Sequence, residues 1–171
     1  MNRGMSLVLG IAIGILIYHL LSPSFFAPSV TPIFSPEDGA KIISFVDSAQ
    51  KSIDIEIYTF SSRDVVEALE RARGRGVLVR IIIEPNVIGG ENSQIYHELL
   101  SKGYSIRYAS QSFKLTHAKF IIIDRISVLV GSHNLSNSAL YKNREASVII
   151  KNSPSVGDFI RVFENDWLIA D

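Results

Sequence analysis

Cysteine is absent from all 171 residues. That excludes disulfides, thiolate zinc sites and a cysteine nucleophile, and it leaves the redox compartment unreadable. Excess charge is absent too: 17 basic side chains face 17 acidic ones. Setting aside Arg3, which precedes a hydrophobic segment, leaves 16 basic against 17 acidic residues. A protein held to nucleic acid by its overall field is distinctly basic, so any such affinity here must come from a local cleft. No internal repeat is visible. Proline is scarce outside one stretch, where Pro23, Pro28 and Pro32 crowd together and Pro36 follows.

Leu7 to Leu21 is nearly all apolar and carries no formal charge. Residues 1–22 therefore read as a signal anchor or signal peptide, with membrane contact through residues 5–22. Ser22-Pro23-Ser24 is a weak cleavage site, and Phe25-Phe26-Ala27 is followed by an obstructing Pro28, which favours an uncleaved anchor. Arg3 lies before the span, and Glu37, Asp38 and Lys41 follow it. The positive-inside rule then puts the folded domain outside the cytoplasm, or makes it secreted if the leader is cleaved. Residues 23–33 read as a stiff Pro/Ser-rich linker, and residues 34–171 as one domain.

Within the domain, apolar periodicity predicts a helix over Gly39–Ala49 and a strand over Ile53–Tyr58. A helix capped by Ser61 or Ser62 and ended by Gly74 and Gly76 comes next. Val77–Ile83 is a continuous apolar strand, Gln94–Ser101 a short helix, and Ile106 marks another strand. Strand, helix, strand, helix, strand is the rhythm of an α/β layered domain with a largely parallel first half. Phe120–Ile123, Ile126–Val130 and Glu145–Ile150 extend the sheet, and Ser153-Pro154 opens a last amphipathic helix.

The chemistry concentrates in His117-Ala118-Lys119, Asp124 and Gly131-Ser132-His133-Asn134. Strand alternation points His117 and Lys119 to one side, and a turn at Asp124-Arg125 would bring Ser132 and Asn134 back beside them. A nucleophilic imidazole then stands next to an ammonium, a hydroxyl and a carboxamide that can hold phosphate oxygens. Asp124 is counted in the catalytic set, although its turn position equally suits holding local structure. Lys114, three residues before His117, is a candidate phosphate contact. Arg71, Arg73 and Arg75 read as the solvated end of a helix.

This pattern resembles the HxKxxxxD(x6)GSxN signature of the phospholipase D superfamily, matching at every defining position. Asn143-Arg144-Glu145 resembles a downstream Asn-x-Glu of the same family, with Glu145 placed to accept a hydrogen bond from the His117 ring. Ile55–Ser61 resembles the family's first strand and its turn, which marks Tyr58 and Ser61 as candidate substrate contacts beside the plainer reading of strand end and helix cap. The resemblance implies a phospholipase D-like fold, a layered mixed β-sheet flanked by helices, in one domain after the hydrophobic segment. It also implies phosphodiester cleavage through a phosphohistidine, with no metal or other cofactor.

That chemistry needs a second imidazole for the leaving group. His19 lies in the hydrophobic span, His97 on a surface helix, and His133 alternates away from the site. One motif copy therefore implies a homodimer with two His117 residues facing each other. The small Nuc-like endonuclease branch, acting on single- or double-stranded nucleic acid, is built this way. A lipid phosphodiesterase acting on a phospholipid such as cardiolipin is the alternative. A noncatalytic phosphate-binding module is a third reading, which leaves the nucleophilic histidine without a purpose.

Overall fold

The computed structural model describes residues 3–20, 27–87 and 91–171. The weak cleavage site at Ser22-Pro23-Ser24 and the first part of the expected linker lie outside them. Helix α1 (Arg3–Leu20) carries the N-terminal apolar segment, and its described side chains are all exposed. Among the described residues, no helix is long and apolar enough to cross a membrane.

Seven strands form one sheet in the order β1-β7-β6-β5-β2-β3-β4. They are β1 (Ser29–Phe34), β2 (Ser52–Ile57), β3 (Leu78–Ile83), β4 (Ser105–Tyr108), β5 (Lys119–Ile123), β6 (Ser127–Gly131) and β7 (Ala146–Lys151). β2, β3 and β4 are parallel, with α3 (Arg63–Gly74) and α4 (Glu91–Ser101) as crossovers. The remaining pairs are antiparallel. This is the layered mixed sheet that the element rhythm implies.

β1 corrects one expectation. Residues 29–33, read as tether, pair in register with β7 from Ser29↔Lys151 to Phe34↔Ala146. Proline had argued for a linker, but Pro32 sits on an edge strand, where a missing amide donor is tolerated. Ile33 is fully buried and anchors this strand to the core.

Two hydrophobic layers sandwich the sheet. Alternation sends Ile53, Ile55 and Ile57 into the larger core, with α2 (Gly39–Asp47) and α3 above them. Gly39 is required there, because a Cβ would lie 2.0 Å from the carbonyl oxygen of Leu140 in α5 (Asn137–Tyr141). On the opposite face Ile82, Phe120, Ile122 and Val128 pack against Val156 and Phe163 of α6 (Pro154–Ile169). Pro154 sits in the first turn of α6, and Ser153 caps it by accepting from the Ser155 amide.

Covering this second face buries two acids of β2. Asp54 is matched by Arg80, whose guanidinium also grips Glu164 of α6 at 3.0 Å. Among the described residues Glu56 meets no such cation: burial, with Asp166 of α6 beside it, pushes its carboxyl up to about 8. Folding thus takes up a proton at Glu56 between its ordinary value of 4.5 and about 8, so stability falls as pH rises through that window. Glu56→Gln is expected to flatten this fall and to raise the melting temperature at pH 9 relative to wild type. Thermal melts from pH 5 to pH 9 are the check, and an unchanged slope in the variant would rule out Glu56 as its source.

Candidate active site

Parallel β2–β4 direct their C-terminal ends to one edge of the sheet, where β5 begins and β6 finishes. The motif side chains gather there. The turn between β5 and β6 places Asp124 and Arg125 at φ 54° and 60°, the paired left-handed residues of a tight hairpin. Pairing of Phe120 with Val130 then returns Ser132 and Asn134 to Lys119. His117, Lys119, Gly131, Ser132 and Asn134 line one open cavity of about 450 Å³.

Tyr58, just past β2, packs against two of these side chains. Its ring meets the His117 ring edge-on at 4.6 Å, and the Lys119 ammonium lies 5.1 Å over it. Lys119 also donates to the His117 carbonyl at 3.0 Å. Burial lowers the Lys119 pKa, and the negative charge of Glu145 partly offsets that. Asn134 accepts from the Thr59 amide at 3.3 Å, which turns its carboxamide nitrogen the other way.

Gly131 has a steric reason to be glycine. A Cβ there would come within 2.4 Å of the Ala146 carbonyl oxygen and the Ser147 Cα across on β7. Ser132 donates to Glu145 at 2.5 Å and accepts from the Ala146 amide at 3.0 Å. Its proton is therefore turned to Glu145 and not toward the cavity. Glu145 accepts from Asn143 as well. The expected Glu145–His117 hydrogen bond is not among these contacts, because β7 pairs with β6 and sets Glu145 beside Ser132. His133 is buried, with Nδ1 against Ser147 Oγ at 2.7 Å, and burial lowers its pKa.

Three other expectations are corrected. Asp124 sits roughly 16 Å along the strand from Lys119, at about 3.3 Å per residue. Its carboxylate accepts from the amides of Gln50, Lys51 and Ser52, so it is a structural anchor. Lys114 lines a neighbouring cavity with Glu84, Asn86 and Phe113. Ser61 is exposed near Arg63 and Glu98, and its amide donates to Leu135.

Sequence reasoning passed over two supports. Buried Asn92 accepts from the Phe60 amide at 2.9 Å and donates to the carbonyls of Tyr58 and Glu84 at 2.6 and 2.8 Å. Glu84 accepts from the amides of Asn86 and Thr116 and so holds the chain one residue before His117. An acid closing an apolar strand was the available signal for Glu84, but an asparagine in the first turn of α4 carries no comparable mark.

A family model described as cardiolipin synthase, PLD-like domain, matches residues 42–167. The chain belongs to the phospholipase D-like domain family. Among relatives, mitochondrial cardiolipin hydrolase of Mus musculus is 30% identical over 82% of this chain and 64% of its own. That of Xenopus laevis is 34% identical over 70% of this chain and 56% of its own. The phospholipase D-like chain therefore spans less than two thirds of the length of these curated relatives. Among solved structures, the phospholipase D family member Nuc from Salmonella typhimurium superposes with TM-score 0.76 at 32% identity, over 84% of this chain and 97% of that one. NucT from Helicobacter pylori shares the fold, with TM-score 0.70 at 20% identity over 84% and 98% of the two chains.

Anchor and support separate experimentally in this phospholipase D-like domain. Asp124→Ala is expected to cost about 1.5–3 kcal/mol by removing the charged acceptor of three amides, with the His117 ring resonances unmoved. Asn92→Ala is expected to shift those resonances, because Tyr58 loses its tether. Thermal melts with imidazole NMR give both readouts, and shifted His117 signals in Asp124→Ala would contradict the assignment.

Proposed function

We propose that the chain is a metal-independent phosphodiesterase, an endonuclease cutting DNA or RNA through a phosphohistidine. One observation carries this: His117 and Lys119 share an open cavity with Asn134 and Ser132. In the first step the ring nitrogen of His117 forms a bond to phosphorus while the bond to the leaving alkoxide breaks. Lys119 and the Asn134 amide hold the non-bridging oxygens, where charge accumulates. In the second step a water oxygen attacks phosphorus, the P–N bond breaks, and its electron pair returns to His117.

The alkoxide takes its proton from the partner's His117, and that imidazole then accepts a proton from the attacking water. Within the protomer the other described imidazole near the motif, His133, is buried against Ser147 and faces no cavity group. A homodimer is the economical source of the second ring. An apolar groove lined by Pro32, Phe34, Val130 and Val148 runs to Gly131 at the cavity edge, which favours a second copy there.

Nucleic acid is preferred because the chain covers 97% of Nuc, against 64% of the Mus musculus hydrolase. The second reading is a lipid phosphodiesterase attached to a membrane. Exposed Val8, Leu9, Ile11, Ile15 and Leu16 on α1 favour it, as do the relatives named as mitochondrial cardiolipin hydrolases. The leader as anchor, with the domain outside the cytoplasm, belongs to this proposal too.

Labelled single-stranded DNA incubated with the full chain in excess EDTA is expected to be cleaved, and His117→Ala to abolish cleavage. Cardiolipin micelles run in parallel decide the substrate: phosphatidate release without DNA cleavage would replace the nuclease reading with the lipid one. Cleavage surviving in His117→Ala would overturn the mechanism.

Glu145→Gln removes the anion that raises the Lys119 pKa against burial. An ammonium losing that support deprotonates at lower pH, so the alkaline limb of the pH–rate profile is expected to move down. An unmoved limb would mean that Lys119 ionisation does not control it.

A further inference from the structure

The edge of the sheet opposite His117 holds a second cavity, of about 590 Å³, within the size range of ligand pockets. It lies where β2, β3 and β4 begin and where the β5–β6 hairpin turns. Arg73, Arg80 and Arg125 line it with Tyr104, Ser52 and Ser105. Asp54 lines it too, with its carboxylate spent on Arg80.

The charges do not cancel. Arg80 pairs with Asp54 and Glu164, and Arg125 with the same Glu164, so two cations meet two anions. Arg73 is the excess: among the described residues it makes no ion pair and gives one hydrogen bond, to the Lys102 carbonyl at 2.9 Å. Its guanidinium lies 4.1 Å over the Tyr104 ring, which holds the planar fork in one orientation before any ligand arrives. Tyr104 is itself buried, and its hydroxyl has no hydrogen-bond partner among the described residues. The hydroxyls of Ser52 and Ser105 make no hydrogen bond among the described residues either. A flat cation, neutral donors and a net positive lining suit a tetrahedral oxyanion.

We propose that this cavity is a second anion site, distinct from the His117 cavity, that binds a phosphoryl group through Arg73. The phosphoryl could be carried by a free phosphate compound, a nucleic-acid backbone or a phospholipid headgroup, since all three present the same oxygens. Nothing in this assignment depends on which phosphodiester the His117 site cleaves.

Pyrophosphate titrated calorimetrically into the full chain in non-ionic detergent is the test. A His117→Ala/Lys119→Ala background removes the catalytic anion site from the signal. Saturable binding at one site per chain is expected, weakened at least tenfold by Arg73→Gln and measurably by Tyr104→Phe, which keeps the ring that Arg73 stacks on. Arg73 is exposed, and a melt of each variant verifies that it folds. Displacement of bound pyrophosphate by an oligonucleotide identifies the backbone as the source, displacement by cardiolipin micelles identifies the headgroup, and displacement by neither identifies a free phosphate compound. Absence of binding in the double-alanine background, or binding that Arg73→Gln leaves intact, would overturn the proposal.

Discussion

Antiparallel pairing of β5 with β6 is the constraint on which the site depends. It carries two pieces of the motif that are 13 positions apart, Lys119 and Ser132, to the same cavity. The pairing is secured at both ends. At the turn, Asp124 gathers three consecutive amides, those of Gln50 and Lys51 before β2 and of Ser52 at its start. At the site, Gly131 lets the β7 backbone approach where any side chain would collide. A slip of one residue would turn His117 and Lys119 to the other face of the sheet.

Function and stability divide along the same strands. The C-terminal edge of β2–β4 collects the imidazole, the ammonium and the amide, while the opposite edge holds the Asp124 anchor and the arginine-lined cavity. Buried polar groups join the edges. Asn92 and Glu84 fix backbone turns near His117, and Arg80 ties Asp54 of the sheet to Glu164 of α6. Such groups are tolerated inside because each meets a partner, so the geometry around His117 is held by hydrogen bonds that the apolar core alone would not direct.

Much of the site was legible because it is written in short-range spacing. His117 and Lys119 share a side because strands alternate, and Ser132 and Asn134 follow because a tight turn must return the chain. Tyr58 was reachable through family resemblance, and its ring does contact both His117 and Lys119. Lys114 and Ser61 were misplaced for one reason: proximity in sequence, or to a helix start, says nothing about which cavity a loop side chain enters. Glu145 was drawn to the wrong partner because strand order, which places β7 beside β6 and away from β5, is invisible locally.

By itself the sequence determined the element rhythm, the grouping of His117 with Lys119 and Asn134, and the lack of any thiol chemistry, since each rests on residue type and local period. Tertiary structure alone decided that residues 29–34 form an edge strand, that Asp124 is an anchor, and that Asn92 and Glu84 support the His117 end of the sheet. Those outcomes depend on contacts between segments tens of residues apart, where burial and pairing override what a proline, an acid or an asparagine signals locally.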